Sequence, residues 1–310
     1  MKTLQSLGLH RKHSAPQDDS LAKYQHAVEA LRRSPYMNYP AHVHMETYAK
    51  CNAACTFCPY PVLDRKGEKM SDQLIEKIIG DLVEIPASLP FHLSPFKVNE
   101  PFLDVRLFDI LALINERLPN ANITLTSNAS PITELNLGAL GKVKNLEYLW
   151  ISFNYHRPFE YERTMALSYA RTIERLNMIH LWKAEGRLQT RIVLSRVGDG
   201  TAIDNKFCNW VRSRFPLFEF SVFRRGNWLG QVQTKTLDIP DVGCTRWFDI
   251  SITATGVVAH CCMDGEAKFP IGNVCLQSVL EIYNSPCYRS LRESTVSRLA
   301  VAPCNSCSFL

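Results

Sequence analysis

Three of the chain's eleven cysteines fall within eight residues, Cys51-Asn-Ala-Ala-Cys55-Thr-Phe-Cys58. Three soft anionic sulfurs brought to one point suit zinc or an iron-sulfur cluster, with a disulfide framework as the competing reading. The count separates the first two. A structural zinc site is normally closed by a fourth ligand, whereas a [4Fe-4S] cluster held by three cysteines leaves one iron open to a substrate or cofactor.

A second constellation lies near the other end. Cys244 precedes the run Ile250 to Cys262, which reads as a β-hairpin turning at Gly256, and Cys304-Asn-Ser-Cys307 follows a helical insert. Two cysteines on a hairpin edge and a C-x2-C knuckle make a closed four-thiolate site, which zinc and iron-sulfur fit equally well. Cys261 and Cys262 compete for one ligand position, because neighbouring strand residues point to opposite faces. Cys208, Cys275 and Cys287 are expected to be buried small hydrophobes.

The elements that must position these groups follow from length and pattern. With 310 residues, 46% hydrophobic and 21% charged, the chain has room for one large domain and a smaller one. A net charge of +5 is mild and suits anionic small molecules; no Lys/Arg block or aromatic-basic repeat points to nucleic acid. Met1 to His13 is basic without an apolar core, and no run of 18 apolar residues occurs, so neither export nor a membrane span is expected. The expected compartment is the cytoplasm, where reduced cysteines serve as thiolate ligands.

Residues 1 to 40 read as an N-terminal helical arm, with Leu21, Tyr24, Val28 and Leu31 on one stripe of Ser20 to Arg33. From there to residue 235 short apolar runs alternate with helical stretches, as in repeated βα units around a parallel sheet. Strands are expected at 43 to 48, 92 to 98, 122 to 127, 147 to 153, 189 to 195 and 217 to 223. Helices are expected at 71 to 82 with Ser71 as N-cap, and near 104 to 118, 132 to 140, 159 to 178 and 202 to 214. Residues 236 to 310 form the smaller domain, with a turn at Ile271 to Val274 and short helices at Ser278 to Tyr283 and Cys287 to Glu293 covering the second cysteine site. In parallel βα architectures function gathers at the C-terminal strand ends.

The C-x3-C-x2-C spacing with Phe57 before the last cysteine resembles the signature of radical S-adenosylmethionine (SAM) enzymes. The resemblance implies an α/β fold, a partial (β/α)6 TIM-like barrel, with a [4Fe-4S] cluster on Cys51, Cys55 and Cys58 whose open iron chelates SAM. Reductive cleavage then gives a 5'-deoxyadenosyl radical. Val98-Asn99-Glu100-Pro101 is similar to the family's Gly-Gly-Glu-Pro motif, which holds the methionine amino group; both glycines are missing, and Asn99 is expected to supply the φ > 0 conformation. Read without the family, the same residues are a Pro-started helix with Glu100 at its positive end. Ser127, Asn128 and Ser152 resemble positions near SAM, and Arg191 and Ser195, alternating onto one face of strand five, are candidates for its carboxylate or ribose.

Gly256-x4-Cys261 and the terminal C-x2-C resemble the twitch/SPASM extension of the family, which implies one auxiliary [4Fe-4S] cluster on Cys244, Cys261, Cys304 and Cys307, with Cys262 the alternative to Cys261. Tyr155, His156, Arg224, Arg225 and Trp228 are candidate substrate contacts, since Arg forks bind phosphate or carboxylate and Trp stacks on a sugar or base. The domain plan over residues 43 to 307 is similar to that of the twitch-bearing aminocyclitol dehydrogenases. What this implies is an oxidoreductase, or related radical enzyme of biosynthesis, that abstracts hydrogen from a small anionic or sugar-like metabolite and draws electrons from a reductant such as flavodoxin or ferredoxin. Modification of a ribosomally made peptide, and a non-catalytic iron-sulfur scaffold, are the alternatives.

Overall fold

The computed structural model describes residues 17–234 and 238–309. The first sixteen residues of the expected arm, and the expected boundary at 235, lie outside the described residues. Helix α1 (Gln17–Arg32) packs Val28 and Leu31 against Trp247 and Phe248 of the C-terminal region. There follow β1 (His42–Met45), α2 (Asp72–Leu82), β2 (Phe91–Ser94), α3 (Leu107–Arg117), β3 (Ala121–Ser127), α4 (Glu134–Leu140) and β4 (Leu146–Ser152). Then come α5 (Pro158–Met165), α6 (Tyr169–Ala184), β5 (Arg191–Gly198), α7 (Ala202–Arg214) and β6 (Glu219–Arg224). Strands β7 (Asp249–Ile252), β8 (Val257–Ala259) and β9 (Pro270–Asn273) precede α8 (Val279–Tyr283) and α9 (Pro286–Glu293).

All nine described strands join one sheet in the order β6-β5-β4-β3-β2-β1-β7-β8-β9. Strands β1 to β6 are parallel neighbours in succession, the βα repeat that the apolar pattern demands. Strand β7 joins β1 in parallel, and β7, β8 and β9 form an antiparallel meander. Alternation along the strands sorts two faces. Val43, Leu93, Ile123, Leu149 and Leu194 share a core with Ile78, Ile79, Ile110, Leu137, Ile179 and Phe207 of the covering helices. Each such aliphatic side chain contributes about 1.5–3 kcal/mol on full burial, and this layer fixes the register. The alternate residues are polar and meet one another: the Ser94 hydroxyl lies 2.5 Å from Thr124 Oγ1 and 2.7 Å from His42 Nε2.

Three expectations are corrected. The helix expected over 159 to 178 is two helices: Ala166 adopts φ 54°, and Ser168 caps a new start by accepting from the Arg171 amide. The turn expected at Ile271 to Val274 is mostly strand β9, because Val257 and Val258 of β8 pair with Asn273 and Gly272. Cys275 and Cys287 are exposed and Cys208 is half-buried, so none is a buried hydrophobe; Cys275 follows the end of β9 and Cys287 lies on the solvent side of α9.

Candidate active site and second cysteine site

The segment Cys51 to Cys58 leaves β1 at its C-terminal end and is held by backbone bonds rather than by its own secondary structure. The amides of Ala54 and Thr56 donate to the carbonyls of Met165 and Thr164 at 3.1 and 3.0 Å, and the Cys58 amide donates to the Cys55 carbonyl at 3.1 Å. All three cysteines are free and half-buried. Burial pushes the thiols up, Cys51 to about 12 and Cys58 to about 11, and Cys55 higher still, with the neighbouring sulfurs of Cys58 and Cys51 resisting its ionisation. A set that opposes its own ionisation until a cation neutralises it is the chemistry of a metal-binding thiolate cluster.

The loop after β2 closes against this segment. The Glu100 amide donates to the Lys50 carbonyl at 2.8 Å, which sets its side chain beside Cys51. The carboxylate is buried and accepts from the Ser127 hydroxyl at 2.8 Å, from the Asn128 amide at 2.7 Å and from the Phe102 amide at 3.3 Å. Burial outweighs these bonds and raises its pKa to about 7. Glu100 also caps the 3-10 turn Pro101–Leu103, so the two readings of this motif coexist. Asn99 is not among the residues with positive φ, a correction to the role expected of it. Its Oδ1 accepts from the Lys97 amide at 3.0 Å, and its Nδ2 is buried without a hydrogen-bond partner. Asn128 Nδ2 donates to Asn52 Oδ1, and Asn52 Nδ2 to Ser130 Oγ, both at 2.8 Å, so the end of β3 is sewn to the cysteine segment.

Ser152 and Ser195 stand in register at the ends of β4 and β5. Ser152 Oγ accepts from Asn154 Nδ2 at 2.9 Å, and Ser195 donates to the Ile151 carbonyl at 3.2 Å. Arg191 is corrected: it begins β5, four residues from the functional end, and forms a fork with Glu219 through two 2.8 Å bonds. The buried arginine nearer that end is Arg196, which is held by Asp204 and Asp199 and lies 4.3 Å from the Tyr155 ring.

Among the candidate substrate contacts, two turn toward the protein. Arg225 donates to the Thr56 carbonyl at 2.7 Å, and Trp228 Nε1 donates to the Phe57 carbonyl at 3.0 Å. Between them Asn227 donates to the Ser306 carbonyl at 2.7 Å, inside the Cys304–Cys307 knuckle. Arg224 faces Asp238 at 3.6 Å, and His156 lies near Trp210, its pKa lowered by burial and the neighbouring Arg157.

The second cysteine site is assembled from three places. Cys244, Cys261, Cys304 and Cys307 line one small cavity with Trp247, His260 and Arg298, while Cys262 is not among its lining residues. Trp247 Nε1 and His260 Nε2 lie 3.4 and 3.1 Å from Cys304 Sγ, and the Tyr24 hydroxyl of α1 lies 3.5 Å from Cys244 Sγ. Hydrogen bonds to the sulfurs are among the groups that set a cluster's potential. Gly256 turns the hairpin at φ 85°, a conformation glycine adopts without strain.

Sequence reasoning missed the polar seam between the two regions. Glu46, fully buried just past β1, accepts from the Val98 and Ala254 amides, both at 3.3 Å, and pairs with Arg65. Arg65 in turn donates to the Gly265 carbonyl at 2.6 Å, and buried Lys97 donates to the Asp264 carbonyl at 2.5 Å. An ionisable residue just past the C-terminal end of the first strand was the available signal for Glu46.

Residues 244–308 match the SPASM family, an iron-sulfur cluster-binding domain. No curated protein matches the chain in sequence. The fold is that of several solved structures. BtrN in complex with AdoMet and 2-DOIA matches with TM-score 0.59 at 16% identity, over 87% of this chain and 93% of that one. Streptococcus suis SuiB bound to the precursor peptide SuiA matches with TM-score 0.63 at 14% identity, over 98% and 78%. The enzyme anSMEcpe with bound AdoMet matches with TM-score 0.58 at 12% identity, over 83% and 79%.

Proposed function

We propose that this chain is a radical SAM enzyme with one auxiliary iron-sulfur cluster, acting on a small anionic or sugar-like metabolite. The observation that carries the reading is the half-buried triad Cys51, Cys55 and Cys58 beside the buried Glu100, in a chain that ends in a cluster-binding SPASM domain. A [4Fe-4S] cluster on that triad, with SAM bound, supplies one-electron reductive cleavage to a 5'-deoxyadenosyl radical.

The chain's own residues hold and orient. Glu100 receives the methionine ammonium, with Ser127 and the Asn128 amide fixing its carboxylate. The unpartnered Asn99 Nδ2 is a donor for the methionine carboxylate. The Ser152 hydroxyl, which accepts from Asn154, keeps its O–H to donate to the ribose, and Ser195 offers lone pairs beside it. Cys244, Cys261, Cys304 and Cys307 hold the auxiliary cluster behind Trp247, which excludes water. Domain limits of about 41–235 for the barrel and 236–310 for the auxiliary domain complete the reading. A reductant such as flavodoxin or ferredoxin is its electron source.

The small-molecule class is supported by near-complete two-way coverage with BtrN and by Tyr155, His156 and Arg224 at strand ends. Anaerobic reconstitution followed by dithionite and SAM is the test. Formation of 5'-deoxyadenosine is the expected result, and its absence with both clusters loaded overturns the enzyme reading. A panel of sugars, sugar phosphates and peptides, scored by transfer of deuterium into 5'-deoxyadenosine, then separates a metabolite from a peptide substrate.

A further inference from the structure

A third group of metal-ligating side chains lies on the inward face of the sheet, apart from both cysteine sites. Ligand atoms of His42, His44 and Asp249 all lie within 4.8 Å of one another. They come from adjacent parallel strands in fixed register, His42 opposite Asp249 across the β1–β7 ladder. Ligands of a tetrahedral ion at about 2.0–2.1 Å stand roughly 3.4 Å apart, so small side-chain rotations close the set.

Two observations point to a bound ion. His44 is 8% exposed, yet its Nε2 has no hydrogen-bond partner, with the nearest acceptor, Asp249 Oδ2, 3.7 Å away. The other groups are already arranged as outer partners of a metal site. His42 Nε2 meets Ser94 Oγ at 2.7 Å, leaving Nδ1 as its free nitrogen, and Ser94 is itself fixed by Thr124. Arg246 holds Asp249 Oδ2 at 3.0 Å and leaves Oδ1 free. Such bonds orient ligands and are found behind most metal-bound histidines and carboxylates. The thiol of Cys262, the cysteine that does not line the auxiliary cavity, faces His44 and completes a fourth donor.

We propose that His42, His44, Asp249 and Cys262 bind one Zn2+ in a closed tetrahedral site that ties β1 to β7 and to the end of β8. Two imidazoles, a carboxylate and a thiolate suit zinc and disfavour the oxygen-seeking Mg2+ and Ca2+. The inference does not depend on SAM chemistry: a protein that makes no 5'-deoxyadenosine still binds the ion.

The experiment is equilibrium dialysis of the cluster-loaded full chain against radiolabelled Zn2+, with iron counted in the same sample and zinc-edge X-ray absorption on the retained metal. One Zn2+ per chain, a mixed shell of two nitrogens, one oxygen and one sulfur, and an unchanged iron count are expected. Ser94→Ala, which touches only an outer partner, weakens zinc binding about tenfold to a hundredfold while leaving iron in place. His44→Gln abolishes it. No retained zinc, or a shell of four sulfurs, overturns the assignment. So does loss of auxiliary iron in Cys262→Ser, which would make Cys262 a cluster ligand.

Discussion

The indole N–H of Trp228 donates to the carbonyl of Phe57 at 3.0 Å, so a residue just past the last barrel strand fixes the backbone between two cluster cysteines. Asn227, its neighbour, donates to the Ser306 carbonyl, between Cys304 and Cys307. One short segment, with Trp228 and Leu229 both at positive φ, thus touches both cysteine loops. Trp228→Phe keeps the ring and removes the donor, at a cost of about 1 kcal/mol, or roughly a fivefold change in an equilibrium. Iron release to a chelator should accelerate several-fold for the Cys51–Cys58 site and stay unchanged for the auxiliary one, followed by electron paramagnetic resonance of each cluster.

The two adjacent cysteines make opposite predictions. Cys261 lies in the cavity with Cys244, Cys304 and Cys307, whereas Cys262 faces His44 and Arg246. The intact chain should carry about eight irons, and Cys261→Ala about four. Cys262→Ala should keep all eight. Iron and sulfide assays on anaerobically reconstituted protein decide between them.

Glu100 sets a pH dependence. Its carboxyl, raised to about 7 chiefly by burial, is mostly neutral at pH 6 and half ionised at pH 7. Only the carboxylate attracts the SAM ammonium, so affinity should rise about fivefold from pH 6 to 7, and Glu100→Gln should bind weakly and without that slope. Anaerobic calorimetric titration measures it. The same shift acts on folding: burial of the neutral carboxyl favours the fold fully below its ordinary value near 4.5, and that contribution is lost as pH rises through 7.

Gly256→Ala tests the hairpin. An added Cβ would sit 2.8 Å from Cys275 Sγ and 3.2 Å from Leu74 Cδ2 at φ 85°, where a side chain is strained whatever the space. A loss of about 1–3 kcal/mol is expected in denaturant unfolding, with auxiliary iron released at the same midpoint.

The parts of the fold that repeat were readable from residue pattern. Period-two apolar runs gave β1 to β6, and Ser71 gave the start of α2, where it accepts from the Leu74 amide. Both cysteine groups were visible from spacing, because metal ligation constrains residue type as well as position. What escaped depended on partners distant in sequence. Arg225 and Trp228 have the chemistry of substrate contacts, yet their acceptors are backbone carbonyls about 170 residues away, which carry no residue signature. Arg191 was misplaced because alternation fixes the face of a strand but not how far along it a residue stands relative to the functional end. The break at Ala166 escaped because alanine is a strong helix former and only tertiary packing forces it to φ 54°.

The position of β1, between β2 and β7, has a consequence for synthesis. Its cysteine loop leaves the ribosome first, while the Trp228 that pins it follows 171 residues later. At about 5–20 residues per second, that interval is roughly ten to thirty seconds. For that time the three thiols are on a nascent chain without the bond that holds their loop, open to oxygen and to stray metals. Oxygen tension during translation, and not only during turnover, therefore sets how much of the chain matures with its first loop intact.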